Sequence, residues 1–215
     1  SMIQQKISLR QLFEKTWGVG LFVSLYMVIA TILSLNAQNW EFLLYIAVVI
    51  CIAALTVWIG LLVDFSRGIY WGLALWGLAH MAGGLVHVPM TWTVEGNKHV
   101  LYSWWLLPFL KYDHIVHFYG FSLMTVMCWQ SLKNALKVSI PRFSVLSLCV
   151  LGAMGFGALN EVIEFGATLL IPNTNVGGYV NTGWDLVSNM LGAIFAAICI
   201  LIVWKERSRH ETRKK

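Results

Sequence analysis

Six long apolar runs dominate this chain, and runs of that kind can fold in few ways. Crossing the hydrocarbon of a bilayer takes about 20 mostly apolar residues. Runs of that size fall at about 17–35, 42–63, 69–90, 114–132, 144–171 and 184–204. A segment in lipid must satisfy its backbone hydrogen bonds internally, so each run is expected to be a helix. The expected fold class is therefore all-α: a polytopic membrane bundle of six transmembrane helices. Composition agrees. Only 12% of residues are charged and mean hydropathy is +0.70, whereas a soluble domain carries about 25% charged residues. The 215 residues suit a single membrane domain spanning 1–215.

Charge sets the expected orientation. Thirteen of the fifteen lysines and arginines lie on one side of these runs. Lys6, Arg10 and Lys15 precede the first, Arg67 separates the second and third, and Lys133, Lys137 and Arg142 separate the fourth and fifth. Six more follow the last run. Only Lys98 and Lys111 lie on the other side. The positive-inside rule then puts both termini in the cytoplasm. Trp17, Trp40, Trp71, Trp104, Trp105, Trp184 and Trp204 fall near the ends of runs, where tryptophan anchors a helix to the interface. The segment 3–16 reads as an amphipathic lead-in lying on the membrane surface. The first run lacks a clean small-residue cleavage site, so it is expected to stay as a span. The pI near 9.1 comes from short loops and tails. That pattern suits an anionic lipid face and excludes a nucleic-acid partner. Cys51, Cys128, Cys149 and Cys199 are scattered in apolar runs without a CxxC pair, so they read as small core hydrophobes.

Against this background the ionisable residues within the runs stand out, because charge in hydrocarbon is retained only where something pairs with it. His80 and His87 lie in the middle and outer part of run three. Asp113, His114 and His117 open run four, Glu161 and Glu164 occupy the outer half of run five, and Asp185 opens run six with Asn189 one turn on. Antiparallel threading brings all of them to the outer half of the bilayer. No lysine or arginine lies within a run to neutralise them. Asp113 and His117 are i,i+4, as are Asp185 and Asn189, and Glu161 and Glu164 are i,i+3. Each pair therefore shares a helical face. Two carboxylates one turn apart repel unless a proton or a cation joins them.

Several chemistries fit such a set. Imidazole and carboxylate suit zinc or another divalent metal. His80, His117 and Glu164 or Asp185 are the candidate ligands, with Asp113 holding a histidine tautomer and Glu161 as the base that activates a bound water. Asp113 and Glu161 are thus the candidate catalytic pair, and His114, Asn189 and His87 the supporting residues. The reaction class is then metal-dependent hydrolysis or lipid modification, with a lipid-linked or envelope substrate reached from the outer leaflet. A transporter or proton-coupled channel is the alternative, since His and carboxylate chains form proton paths. So is a ligand-binding membrane protein without catalysis. A plain polar core is the remaining reading, with Asp113 and Asp185 capping helices four and six. The broken, aromatic segment Thr91–Lys111 is expected to be either a re-entrant or interfacial flap over the cavity or a plain membrane-surface helix. The uncharged stretch around Gly177-Gly178 is expected to form an outer rim able to meet a sugar or headgroup.

Between His80 and Ala196 the chain resembles the YjdF-like family of inner-membrane proteins and, more distantly, VanZ-like proteins. The likeness rests on His80-Met-Ala-Gly-Gly84, Tyr112-Asp-His-Ile-Val-His117-Phe118, Glu161-Val-Ile-Glu164-Phe165 and Trp184-Asp185 with Asn189 and Gly192. The VanZ-like order of Asp-basic-x-x-His, Glu, and Asp-x-x-x-Asn-x-x-Gly maps onto Asp113, His117, Glu161, Asp185, Asn189 and Gly192. The resemblance implies a multi-pass protein of the bacterial inner membrane. His114 stands where relatives carry Arg or Lys, which makes it an electrostatic substitute. The segment 172–183 lacks the extra carboxylates of YjdF-like relatives.

Overall fold

A computed structural model describes residues 7–96, 98–136, 140–172 and 174–213, with backbone alone for 211–213. The first residues of the expected surface lead-in, Lys6, Lys137, Asn173, Lys214 and Lys215 lie outside the described residues. Six helices make the fold: α1 (Leu9–Asn36), α2 (Trp40–Val63), α3 (Arg67–Leu85), α4 (Tyr112–Leu136), α5 (Phe143–Leu170) and α6 (Tyr179–Arg213). The architecture is an all-α membrane bundle. Among the described residues, α1, α2, α5 and α6 are long and apolar enough to cross a membrane. At 19 residues α3 reaches only about 28 Å, and α4 carries Asp113, His114, His117 and Lys133. These two helices hold much of the polar chemistry. They also pack inward: α4 lies against α3, α5 and α6.

Local signals explain the helix ends. Ser8 and Gln11 form a reciprocal cap on α1: the Ser8 backbone N–H donates to Gln11 Oε1 (2.8 Å) and the Gln11 N–H to Ser8 Oγ (3.2 Å). The helix then runs unbroken into its apolar part, so the described part of the expected lead-in is continuous with α1. Asn39 caps α2 by accepting from the Phe42 N–H at 3.1 Å. Asp64 ends α2 in the left-handed region (φ 54°) and meets Lys15 of α1 at 2.5 Å.

The bundle has two unlike ends. Leu12, Val63, Phe65, Ile69 and Met127 fill one with apolar packing. The other is polar and is covered by the α3–α4 connection. Among the described residues that connection lies over the polar end as a flap and contains no membrane-surface helix. It is a folded cap of a single 3-10 turn (Leu101–Ser103) and two short antiparallel strands, β1 (Trp105–Leu107) and β2 (Leu110–Lys111). Isolated bridges join His87 to Val100 and Val94 to Trp104, and Trp92 packs on Trp104 with ring centroids 4.2 Å apart. The outer helix faces carry exposed Leu21, Leu25, Trp58, Leu151, Phe165 and Ile198. A shell of that kind is stable against lipid tails and not against water.

Candidate functional site

Small residues let α4, α5 and α6 approach closely at the polar end. A Cβ at Gly157 of α5 would lie 2.6 Å from Asn189 Nδ2 of α6, and one at Gly192 of α6 would run into the Phe118 backbone of α4. The absence of those carbons brings His117 of α4 beside Asn189, Asp185 and Glu161. His117 is 4% exposed and sits at the centre. Its Nδ1 is 2.9 Å from Asn189 Oδ1. An amide oxygen only accepts, so in this contact Nδ1 is the donor. Nε2 faces Asp113 Oδ1 at 3.6 Å, the i,i+4 neighbour. On the other side, Glu161 Oε1 is 3.9 Å from Nδ1.

Two sets of potential ligands share this histidine. Asp113, His117 and Asp185 offer ligand atoms that all lie within 4.8 Å of one another, and so do His117, Glu161 and Glu164. Asp185 is fully buried in the second turn of α6, which begins at Tyr179. It is therefore too deep to cap that helix. Its Oδ2 accepts from Asn181 Nδ2 at 2.5 Å, while its Oδ1 is buried with no hydrogen-bond partner. Glu161 Oε1 is likewise buried with no hydrogen-bond partner. Glu164 accepts from Asn160 of the preceding turn at 2.9 Å.

A cation stands at this site that hydropathy reading placed in a loop. Lys111, the last residue of β2, is only 5% exposed at its side chain. Its ammonium donates to Glu95 Oε2 at 2.8 Å and to Asn181 Oδ1, and lies 3.4 Å from Asp113 Oδ2. Burial works against the charge of Lys111, but Asp113 and Glu95 outweigh it and hold its pKa above the ordinary lysine value. Glu41 was missed for a similar reason. It opens α2 at the edge of an apolar run, yet it is buried and accepts from the Asn175 N–H at 2.7 Å.

The remaining histidines divide. His80 lines the adjoining cavity, and its Nδ1 pairs with the Tyr102 hydroxyl. It belongs to neither ligand set among the described residues. His114 accepts from the Lys111 backbone N–H at 3.2 Å and lies between Trp105 and Trp184, with ring centroids 5.9 and 6.1 Å away. It too belongs to neither ligand set among the described residues. His87 is exposed in the cap.

A cavity of about 400 Å³ opens above the cluster, within the range of small-molecule sites. Its walls include Glu41, Tyr45, His80, Tyr102, Lys111, Asp113 and Glu164, and Glu95, Gly96, Lys98 and residues 174–178 also line it. Glu164 also lines a second opening of about 270 Å³ between α5 and the start of α6. No curated protein and no solved structure matches this chain. Residues 16–206 match the family described as "Predicted membrane protein (DUF2238)", and the chain belongs to that family.

Proposed function

We propose that this protein crosses a bacterial inner membrane six times with both termini in the cytoplasm, and that Asp113, His117 and Asp185 hold a divalent metal ion used in hydrolysis of a lipid-linked or envelope substrate. The observation that carries this reading is the buried, unpartnered Oδ1 of Asp185 beside His117 and Asp113. An uncompensated carboxylate oxygen in a dry interior is costly. A shared cation removes that cost. The spacing fits as well: two tetrahedral ligands of zinc at about 2.1 Å stand about 3.4 Å apart, close to the 3.6 Å between His117 Nε2 and Asp113 Oδ1. Held by Asp113, His117 and Asp185, zinc would supply Lewis acidity, activating water and polarising the bond to be cleaved.

The chain's own residues do the rest. Asn189 fixes the His117 tautomer that leaves Nε2 free to ligate. Asn181 orients Asp185, and Lys111 orients both Asn181 and Asp113. Glu161 accepts the proton of the attacking water and returns it to the leaving group. The YjdF-like and VanZ-like likeness supports treating these residues as one unit, because the VanZ-like order falls on Asp113, His117, Glu161, Asp185, Asn189 and Gly192. Transport is the weaker reading, since Leu12, Val63, Phe65, Ile69 and Met127 fill the opposite end with apolar packing.

Metal analysis of the purified protein tests the proposal. After zinc reconstitution and desalting, the wild type is expected to retain about one equivalent, with both His117→Ala and Asp185→Asn losing it while keeping a cooperative thermal transition. A wild type that retains no zinc, manganese or iron overturns it.

A further inference from the structure

The second opening differs from the main cavity in what lines it. Its lining combines the carboxylates of Glu161 and Glu164, the hydroxyls of Thr168 and Thr182, and the exposed rings of Phe165 and Tyr179. No lysine or arginine lines it among the described residues, whereas Lys98 and Lys111 line the main cavity. Two of its lining residues face outward beside α5 and the start of α6: Phe165 is 61% exposed and Tyr179 94%. In a bundle whose outer surface is this apolar, such a face meets lipid. The opening thus pairs exposed aromatic rings with two carboxylates, and at about 270 Å³ it accommodates a headgroup and not a whole lipid.

We propose that the opening between α5 and α6 admits an aminophospholipid laterally from the bilayer, with its ammonium group against Glu164 and its acyl end leaving past Phe165 and Tyr179. Charge complementarity selects the headgroup. A primary ammonium supplies the cation that two carboxylates one turn apart require, and it donates charge-assisted hydrogen bonds. An anionic headgroup meets two carboxylates there and, among the described residues, no lysine or arginine. Glu164 lines both openings, so a headgroup held by it sits at the junction between the lipid-facing entrance and the cavity over the proposed ion. The inference rests on the hydrolase reading for its meaning as substrate selection. The binding itself does not depend on the ion, because Glu164 is not one of the three proposed ligands.

Lipid retention by metal-stripped protein tests it. The purified chain, treated with chelator, is exchanged into detergent containing equal phosphatidylethanolamine and phosphatidylglycerol, and bound lipid is counted by native mass spectrometry. Losing one charge-assisted hydrogen bond corresponds to about tenfold in affinity. Phosphatidylethanolamine is therefore expected to be retained about tenfold over phosphatidylglycerol. Glu164→Gln should erase that preference, and Thr168→Trp should reduce retention of phosphatidylethanolamine by narrowing the opening. Equal retention of the two lipids by the wild type overturns the proposal, as does an undiminished preference in Glu164→Gln. The metal reading fails separately, through the zinc content of the wild type.

Discussion

Replacing Lys111 by methionine removes the one ammonium that touches Glu95, Asp113 and Asn181 together. Asp113 then loses its cation within the protein interior. Breaking a buried ion pair from one side costs about 3–5 kcal/mol, and the half-exposed Glu95 argues for the lower figure because water screens it. Thermal unfolding in detergent is expected to show a clear loss of stability. The pH dependence has a definite sign. Because Lys111 has a raised pKa in the folded protein, its contribution is complete below the unfolded lysine pKa of about 10.4 and is lost as pH rises through the folded value. The gap between wild type and Lys111→Met should hold steady from about pH 7 to 9 and shrink only above about pH 10.4. A gap that closes near neutrality rules out this role for the ammonium. Such a residue was hard to read in advance. Lys111 sits outside every apolar run, and hydropathy marks a lysine there as a boundary. Its burial is created by the folded cap, which depends on contacts such as His87 with Val100 that no local pattern encodes. Asp113 with His117, by contrast, was legible from i,i+4 spacing alone. His114 differs again: of its two tryptophan neighbours, Trp105 of β1 is near in sequence but Trp184 of α6 is distant.

At the scale of elements, the α4–α6 contact sets where the ligating groups stand. Gly192 is its tightest point. A Cβ there would meet the carbonyl group of Phe118, with the Phe118 Cα at 3.0 Å, and a backbone neighbour cannot rotate away. The same turn is tied by Ser122 Oγ, which donates to the Phe118 and Gly192 carbonyls at 2.7 and 2.9 Å. Gly192→Ala is expected to push the helices apart at a cost of about 1–3 kcal/mol, and to lengthen the contact of His117 with Asn189, only one turn away. Reduced zinc retention together with a lowered melting temperature is the expected result. Gly155→Ala is the control, since nothing lies within 4 Å of a Cβ placed there and alanine is the better helix former by about 1 kcal/mol. If both substitutions behave alike, helix approach does not position the site. The helices themselves were legible as apolar runs, because a long hydrophobic stretch needs no partner to declare itself. The cap was not. Its composition, aromatic and broken by proline, suits an interfacial helix as well as a small sheet, and only the pairing of Trp105 with Lys111 and Leu107 with Leu110 decides.

The whole molecule is polarised along its axis, and the same asymmetry appears in its charges. The apolar packing of Leu12, Val63, Phe65 and Ile69 lies at the end where Lys15 meets Asp64 and where most basic residues of the sequence collect. The cavity, the cap and the ionisable cluster lie at the other end. If basic residues stay on the cytoplasmic side, the cavity opens away from the cytoplasm and an envelope substrate can reach it. Cysteine labelling in intact cells reads this directly. The four native cysteines lie within the helices and set the background. A cysteine at Thr91, exposed in the cap, is expected to react with a membrane-impermeant maleimide in intact cells. One at Glu206, exposed near the end of α6, should react only after the membrane is opened. The reverse pattern would turn the cavity toward the cytoplasm, and hydrolysis of an outer-leaflet substrate would then have no route to Asp113, His117 and Asp185. Labelling of both positions in intact cells would place the two ends of the bundle on one side, which a helix crossing between them forbids.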